Sequence, residues 1–98
     1  MINSSEQKAA ELYNQIDNLF VNTGLFQKVA INDRINYVGK GGIFRIDYDS
    51  TLGFIIQYTD DLWKAKRNVY VNSNPYPLSF GPDMLEVISQ DILKKLNS

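Results

Sequence analysis

The chain has 98 residues, of which 44% are hydrophobic and 21% are charged, as is typical of one globular domain. Ten basic and eleven acidic side chains leave a net charge of −1, so no overall positive field draws the protein to nucleic acid or to an anionic membrane. Histidine and cysteine are both absent, which excludes Ser-His-Asp and Cys-His catalytic groups, the usual zinc sites and disulfide bonds.

The N-terminal part of the chain predicts a long helix. Its apolar residues repeat at the three-and-four spacing of one helical face: Ala9, Leu12, Tyr13, Ile16, Leu19 and Phe20. We expect the helix over about residues 5–23, ended by Gly24 in the left-handed conformation. In such a Schellman ending Leu25 contacts Phe20.

The next part of the chain predicts a β-sheet, because its apolar residues alternate with a period of two and Gly, Asn and Asp punctuate the runs. We expect strands near 26–31, 34–38, 43–49 and 53–59. The short loops between these strands predict an antiparallel meander.

The length of the loop before the fourth strand decides which side chains face the core. A three-residue loop at 50–52 puts Phe54, Ile56 and Tyr58 on the face that carries Phe44, Ile46 and Tyr48. A loop of two or four residues swaps the faces and makes Phe54 and Tyr58 available to a partner. Both registers are compatible with the sequence.

The remaining third of the chain predicts a short helix or turn after Asp60 and Asp61, an edge strand at 68–72 and a helix at 82–96. The apolar stripe of the last helix is Leu85, Ile88, Ile92 and Leu96. The expected fold is one α+β domain over residues 1–98. In it an antiparallel meander sheet of four to five strands is flanked by an N-terminal and a C-terminal helix, both packed on one face.

The stretch NSNPYPLSFGPD joins the edge strand to the last helix. Its second half predicts a helix entry in which Gly81 is the N-cap and Phe80 packs against Leu85 as a hydrophobic staple. Pro75 and Pro77 stiffen the first half around Tyr76. Tyr76 is therefore either an anchor displayed to a partner or a plug folded onto the sheet.

Four acidic residues, Asp47, Asp49, Asp60 and Asp61, lie near the two ends of the predicted hairpin. Turn and helix-cap roles explain most of this cluster, and binding of a basic partner is a further interpretation. Asp47 and Asp49 share a face and could contact Mg²⁺, which leaves a small metal-assisted enzyme as an alternative. Because no catalytic or metal signature surrounds them, we predict no enzyme, no metal site and no cofactor.

The aromatic residues exceed what a small core needs, and tyrosine and tryptophan are favoured at protein interfaces. Together with the four aspartates, Tyr48, Tyr58, Trp63 and Tyr76 are therefore the predicted partner-binding residues. The basic KAKR stretch beside Trp63 is more simply a solvated helix end than a nucleic-acid site.

The order of helix, antiparallel meander, short basic segment and terminal helix resembles small immunity proteins of bacterial polymorphic toxin systems. The residues that carry this resemblance are GGIFRIDYDSTLGFIIQYTDDLWKAKRNVYVNSNPYPLSFG and the amphipathic helix that follows. They include the alanine-bearing segment from Asp61 to Asn68 and the Tyr-Pro pair at Tyr76 and Pro77. The resemblance transfers no functional residue.

The resemblance implies a non-catalytic protein that binds a cognate toxin in the cytoplasm and blocks its active site or its access to substrate. A cytoplasmic location also fits the sequence, since no apolar run approaches the ~20 residues that cross a bilayer. The start MINSSEQKAAEL likewise lacks the basic and apolar regions of a signal peptide. We therefore expect no membrane partner. A structural subunit or phage-encoded inhibitor would share these features.

Overall fold

The computed structural model describes residues 4–96 and has three helices and five strands in that range. The helices are α1 (Ser4–Asn22), α2 (Leu62–Lys66) and α3 (Asp83–Leu96), and a 3₁₀ turn spans Leu78–Phe80. The strands are β1 (Phe26–Ile31), β2 (Arg34–Gly39), β3 (Gly42–Asp49), β4 (Gly53–Thr59) and β5 (Val71–Asn72). No helix within this range is long and apolar enough to cross a membrane.

The five strands form one antiparallel sheet in chain order, which confirms the predicted α+β meander with an N-terminal and a C-terminal helix. The last strand is shorter than predicted, with two residues in place of a strand over 68–72. Asn68 has a left-handed φ of 62°, and its N–H donates to Ala65 O at 3.0 Å. Val69 N–H donates to Lys64 O at 2.9 Å. These bonds hold the start of the predicted strand on the end of α2.

The β3–β4 register is the one that a three-residue loop produces, because Asp49 pairs with Gly53 across residues 50–52. The cross-strand pairs on the helix-covered face are Phe44 with Tyr58, Ile46 with Ile56 and Tyr48 with Phe54. Phe54 and Tyr58 are therefore turned toward the helices and not toward the opposite face.

The main core lies between this face of the sheet and the two long helices. Its buried members are Leu12, Ile16, Phe20, Tyr37, Phe44, Ile46, Phe54, Ile56, Tyr76, Met84, Ile88 and Ile92. The Phe20 and Tyr37 rings stack at 4.3 Å and join α1 to β2. Leu19 and Leu85 pack at the margin of the core, which confirms most of both predicted helix stripes. Tyr13 of the α1 stripe is exposed, and the fully buried Met84 was not predicted in the α3 stripe.

The end of α1 differs in detail from the predicted Schellman motif. Gly24 has the expected left-handed φ of 70°. Leu25 N–H, however, bonds Thr23 Oγ1 at 3.1 Å, and the Thr23 hydroxyl donates to Phe20 O at 2.8 Å. The Thr23 side chain thus takes the place of the direct backbone bond, and Leu25 remains exposed.

The opposite face of the sheet, called here the second face, is covered only at one end. There α2 places Ala65 against Ile31 and Ile43, with Val38 and Tyr70 beside them. The rest of this face carries a polar network that includes buried Asn36 and Arg45. The two faces therefore have different characters, one apolar under α1 and α3 and one largely polar.

Candidate functional site: a groove between the sheet edge and the last helix

A groove of about 720 Å³ lies between α3 and the chain segment that follows β5. Phe44, Ile56 and Tyr58 of the sheet line it, as do residues 71–76 on one side and Ile88 of α3 on the other. Its volume lies within the roughly 300–1,000 Å³ typical of ligand pockets. We call this feature the groove throughout.

The segment that forms one wall is held to β4 by backbone bonds. Ser73 N–H donates to Ile56 O at 2.9 Å, and Tyr76 exchanges two backbone bonds with Phe54, at 2.7 and 3.0 Å. Asn74 and Pro75 project between these two attachments. The approach is close enough to require glycine at position 53, where φ is 104° and a Cβ atom would collide with Tyr76 O. The wall is therefore fixed to the sheet at both ends.

Three apolar side chains from three different elements are exposed along the groove. Val71 of β5 is 63% exposed, Phe80 of the 3₁₀ turn 54% and Val87 of α3 45%. Single exposed apolar residues are common on protein surfaces and need no explanation. Their convergence on one concavity is less common, and such patches are typical of interaction sites.

The polar groups of the groove already contact one another. The Tyr76 hydroxyl donates to the Asp91 carboxylate of α3. Burial and the neighbouring Asp91 raise the pKa of Tyr76, so its hydroxyl keeps the proton that it donates. Lys95 Nζ lies 5.3 Å from the centroid of the Tyr58 ring, and Lys94 lines the same side. The floor of the groove is thus apolar. Its α3 wall carries one negative side chain, Asp91, and two positive ones, Lys94 and Lys95.

Two of the predicted partner-binding residues line the groove, in different ways. Tyr76 is buried beneath it, which places its ring as the plug that was one of the two sequence alternatives. Tyr58 is half-buried, packs on Phe44 at a centroid distance of 5.1 Å and presents one side of its ring to the groove. Tyr58 is therefore the more accessible of the two.

The acidic residues at the β3–β4 turn have local partners. Asp49 accepts the backbone N–H groups of Thr51 at 2.8 Å and Leu52 at 2.9 Å, and these bonds lower the pKa of Asp49. Asp47 lies on the second face, 3.4 Å from Arg34 Nη2. These contacts match a turn role for Asp49 and an ion pair for Asp47, and they give no support to a metal site shared by the two.

The acidic residues at the start of α2 also have local partners. Asp61 is the N-cap and accepts Trp63 N–H at 2.6 Å. Asp60 forms an exposed ion pair with Lys64 at 3.0 Å, and that bond lowers the pKa of Asp60. Across residues 4–96 no group of three or more acidic side chains is arranged to hold a metal ion.

The predicted partner-binding residues do not converge on one surface. Asp47, Tyr48 and Asp49 lie at one end of the β3–β4 hairpin, and the residues around Trp63 follow the other end. The two ends of the paired strands are roughly 20 Å apart, at about 3.3 Å per residue. Tyr48 packs on Phe54 at 4.9 Å, whereas Trp63 is exposed and stacks with Arg67 at 4.4 Å.

Sequence reasoning missed the three exposed residues that rim the groove. Phe80 is predicted to form a staple with Leu85, but its side chain is more than half exposed on the rim. Val87 lies off the apolar stripe of α3, and an apolar residue outside a helical stripe is a signal that the sequence does contain. Val71 lay within the predicted edge strand and carried no such signal.

Comparison of the chain with protein-family models, with curated proteins and with solved structures finds no match.

Proposed function

We propose that the protein is a non-catalytic binding module that holds an apolar segment of a protein partner in the groove. The observation that carries this proposal is the convergence of exposed Val71, Phe80 and Val87 on one concavity. Covering a whole apolar side chain of this kind is worth about 1.5–3 kcal/mol. Covering the exposed halves of three such side chains supplies about 3 kcal/mol, a useful core for an interface.

A protein segment fits the groove better than a small ligand does. Small-molecule sites enclose most of the ligand and present a few free polar groups at their floor. Here the most exposed apolar groups are on the rim, and Tyr76 already donates to Asp91 at the helical wall. Contacts with the rim require a ligand that extends beyond the cavity.

In the more specific form of this proposal the partner is a bacterial toxin that the protein neutralises in the cytoplasm. This form is supported by the resemblance of residues 41–81 to immunity proteins. The groove wall carries Lys94 and Lys95 as well as Asp91, so its charge does not favour a basic partner in particular. The contacts of Asp47 and Asp49 lend no support to the alternative, a metal-assisted enzyme.

The groove can be tested with a fluorescent dye that brightens on apolar surfaces. We expect wild-type protein to bind the dye and Val87→Ser and Phe80→Ser to bind it several-fold more weakly, since each removes apolar area from the rim. Leu93→Ser is the matched control, because Leu93 is a 47% exposed residue of α3 that does not line the groove. Equal losses in all three variants would contradict a specific apolar site.

The toxin form has a separate test. An immunity gene lies directly downstream of its toxin gene, so the upstream gene product is the partner to co-express. We expect it to bind wild-type protein and the Leu93→Lys control but not Val87→Lys. If Val87→Lys still binds the upstream gene product, the groove is not the binding surface. If wild-type protein does not bind that gene product, the toxin form of the proposal is wrong, and the dye experiment alone tests the groove.

A further inference from the structure

A row of polar side chains crosses the second face of the sheet, on the side opposite the groove floor. Arg45 of β3 is its centre and is only 5% exposed. Arg45 Nε donates to Gln57 Oε1 at 2.6 Å, and Gln57 Nε2 donates to Asn72 Oδ1 at 2.9 Å. On the other side Asn36 of β2 accepts a bond from the Tyr70 hydroxyl at 2.5 Å. The row therefore spans four strands.

One face of the planar Arg45 guanidinium is covered by an aromatic ring, and one of its edges is hydrogen-bonded to a side chain. The Tyr70 ring lies over it, with the guanidinium carbon 3.9 Å from the ring centroid. Gln57 occupies the Nε edge. The end of the group that remains open carries Nη1 and Nη2.

Neither Nη1 nor Nη2 of Arg45 makes a hydrogen bond to any residue in 4–96. In the same range no side-chain nitrogen or oxygen shielded from solvent lacks a partner, so these two nitrogens reach the surface. Nearly buried arginines are usually paired with a carboxylate. Arg45 therefore presents the N–H groups of Nη1 and Nη2 at the surface without a hydrogen-bond partner in the described part of the chain.

A second guanidinium lies close by. Arg34 Nη2 bonds Ile46 O at 3.1 Å and Asp47 Oδ1 at 3.4 Å. Burial and the charge of Arg34 lower the pKa of Arg45, while Asp47 acts in the opposite direction. Two positive groups thus share the negative charge of Asp47, and an additional anion here would be stabilised.

We propose that Arg45, with Arg34 beside it, forms a binding site for a carboxylate group. Nη1 and Nη2 of Arg45 would receive the two oxygens end-on, in the two-pronged geometry that guanidinium and carboxylate favour. The slight exposure of Arg45 favours a flat, small group. The site lies on the face opposite the groove floor and does not depend on the function proposed for the groove.

The direct test follows the Arg45 Nε–H signal by nitrogen-15 NMR during titration with sodium acetate. We expect a saturable shift of this signal and of the Tyr70 backbone amide, and no saturable shift with sodium chloride at equal ionic strength. Equal responses to both salts would overturn the proposal, since they would show only general charge screening.

Three variants locate the site. Arg45→Gln should weaken acetate binding about tenfold or more, because charge-assisted bonds to both oxygens are lost. Asp47→Asn should tighten it about threefold by removing a competing exposed charge. Lys94→Gln, which alters the groove wall, should leave it unchanged. If Arg45→Gln does not fold, the Asp47→Asn variant still tests the site. Unchanged or weaker acetate binding by Asp47→Asn would contradict the proposal.

The source of the carboxylate is distinguished by a second ligand. A short capped peptide with one glutamate carries the same group within a protein-like chain. Tighter binding of this peptide than of acetate assigns the site to a carboxylate of a protein partner. Equal or weaker binding of the peptide assigns it to a small free carboxylate.

Discussion

Tyr76 shows how one residue joins two elements and shapes the groove. Its backbone pairs with Phe54 of β4, its ring lies in the core, and its hydroxyl donates to Asp91 of α3. Pro75 and Pro77 on either side restrict the backbone before folding, so little additional entropy is lost when it docks. Removing this side chain should therefore affect folding more than surface recognition.

We predict that Tyr76→Ala lowers the free energy of unfolding by about 3–5 kcal/mol, as expected for truncation of a buried aromatic ring. Tyr76→Phe keeps the ring and should cost about 1 kcal/mol for the lost hydrogen bond. Urea unfolding measures both, with Tyr48→Ala as a control that should cost less than Tyr76→Ala, because Tyr48 is 39% exposed and contacts only the margin of the core through Phe54. A cost below 1 kcal/mol for Tyr76→Ala would show that the ring is not the plug described here.

Asp17 is a partly buried carboxylate between α1 and the sheet. Burial alone would raise its pKa, but bonds from the Tyr37 hydroxyl at 2.5 Å and Lys28 Nζ at 2.9 Å outweigh this effect and lower the pKa from its usual value. A carboxylate with a lowered pKa in the folded state stabilises the protein above its unfolded pKa. That contribution is lost as pH falls through the lowered value.

We predict that Tyr37→Phe makes the unfolding free energy less dependent on pH in the acidic range. The variant removes a donor to Asp17, so the pKa of Asp17 returns toward its usual value and less stability remains to be lost as the pH falls. Urea unfolding at neutral pH and at about pH 3 gives the two values to compare. Asp17→Asn should show the same reduction, and an unchanged pH dependence in both variants would contradict this assignment.

At the scale of elements, α3 has one side in the core and another along the groove. Ile88 is fully buried, whereas its chain neighbour Val87 is 45% exposed on the rim. The two residues therefore separate the structural role of the helix from its proposed binding role. A pair of substitutions in adjacent positions can test both.

We predict that Ile88→Ala lowers the free energy of unfolding by about 2–4 kcal/mol, the usual cost of a cavity under a docked helix. Val87→Ala should change it by about 0.5 kcal/mol or less, as expected at an exposed helical position. Urea unfolding compares the two variants. Equal costs would mean that α3 is rotated from the orientation that creates the groove.

The elements themselves could largely be predicted from the sequence, because each depends on local periodicity. The four long strands and most of the stripes of α1 and α3 were predicted correctly for this reason, although Tyr13 is exposed and the buried Met84 was not predicted. The alternation of apolar residues left two possible registers for β3 and β4, which place opposite faces of β4 on the core. The three-residue loop at 50–52 decides between them. The short β5 could not be predicted, because bonds from Asn68 and Val69 back to α2 override a strand-like sequence.

The groove and the arginine site are properties of the whole molecule, which local patterns do not reveal. The groove exists because α3 and residues 71–76 are separated over β4, and no single stretch encodes that separation. Arg45 alternates with the apolar residues of β3, as polar residues of a half-buried strand commonly do, and only the fold places Tyr70 over it. The acidic residues, by contrast, were conspicuous in the sequence yet serve mainly as local turn, cap and ion-pair partners.

The last prediction concerns what holds the whole fold together. Since the core is apolar and the four aspartates have partners within the chain, we expect the melting temperature to be unchanged by EDTA and by Mg²⁺ added afterwards. A thermal scan followed by circular dichroism measures this. A ligand that binds only the folded state raises the melting temperature, so a shift of more than a few degrees with Mg²⁺ would reveal a metal site. Asp47→Asn and Asp49→Asn would then locate it, because a site built on these two carboxylates should lose the shift in either variant.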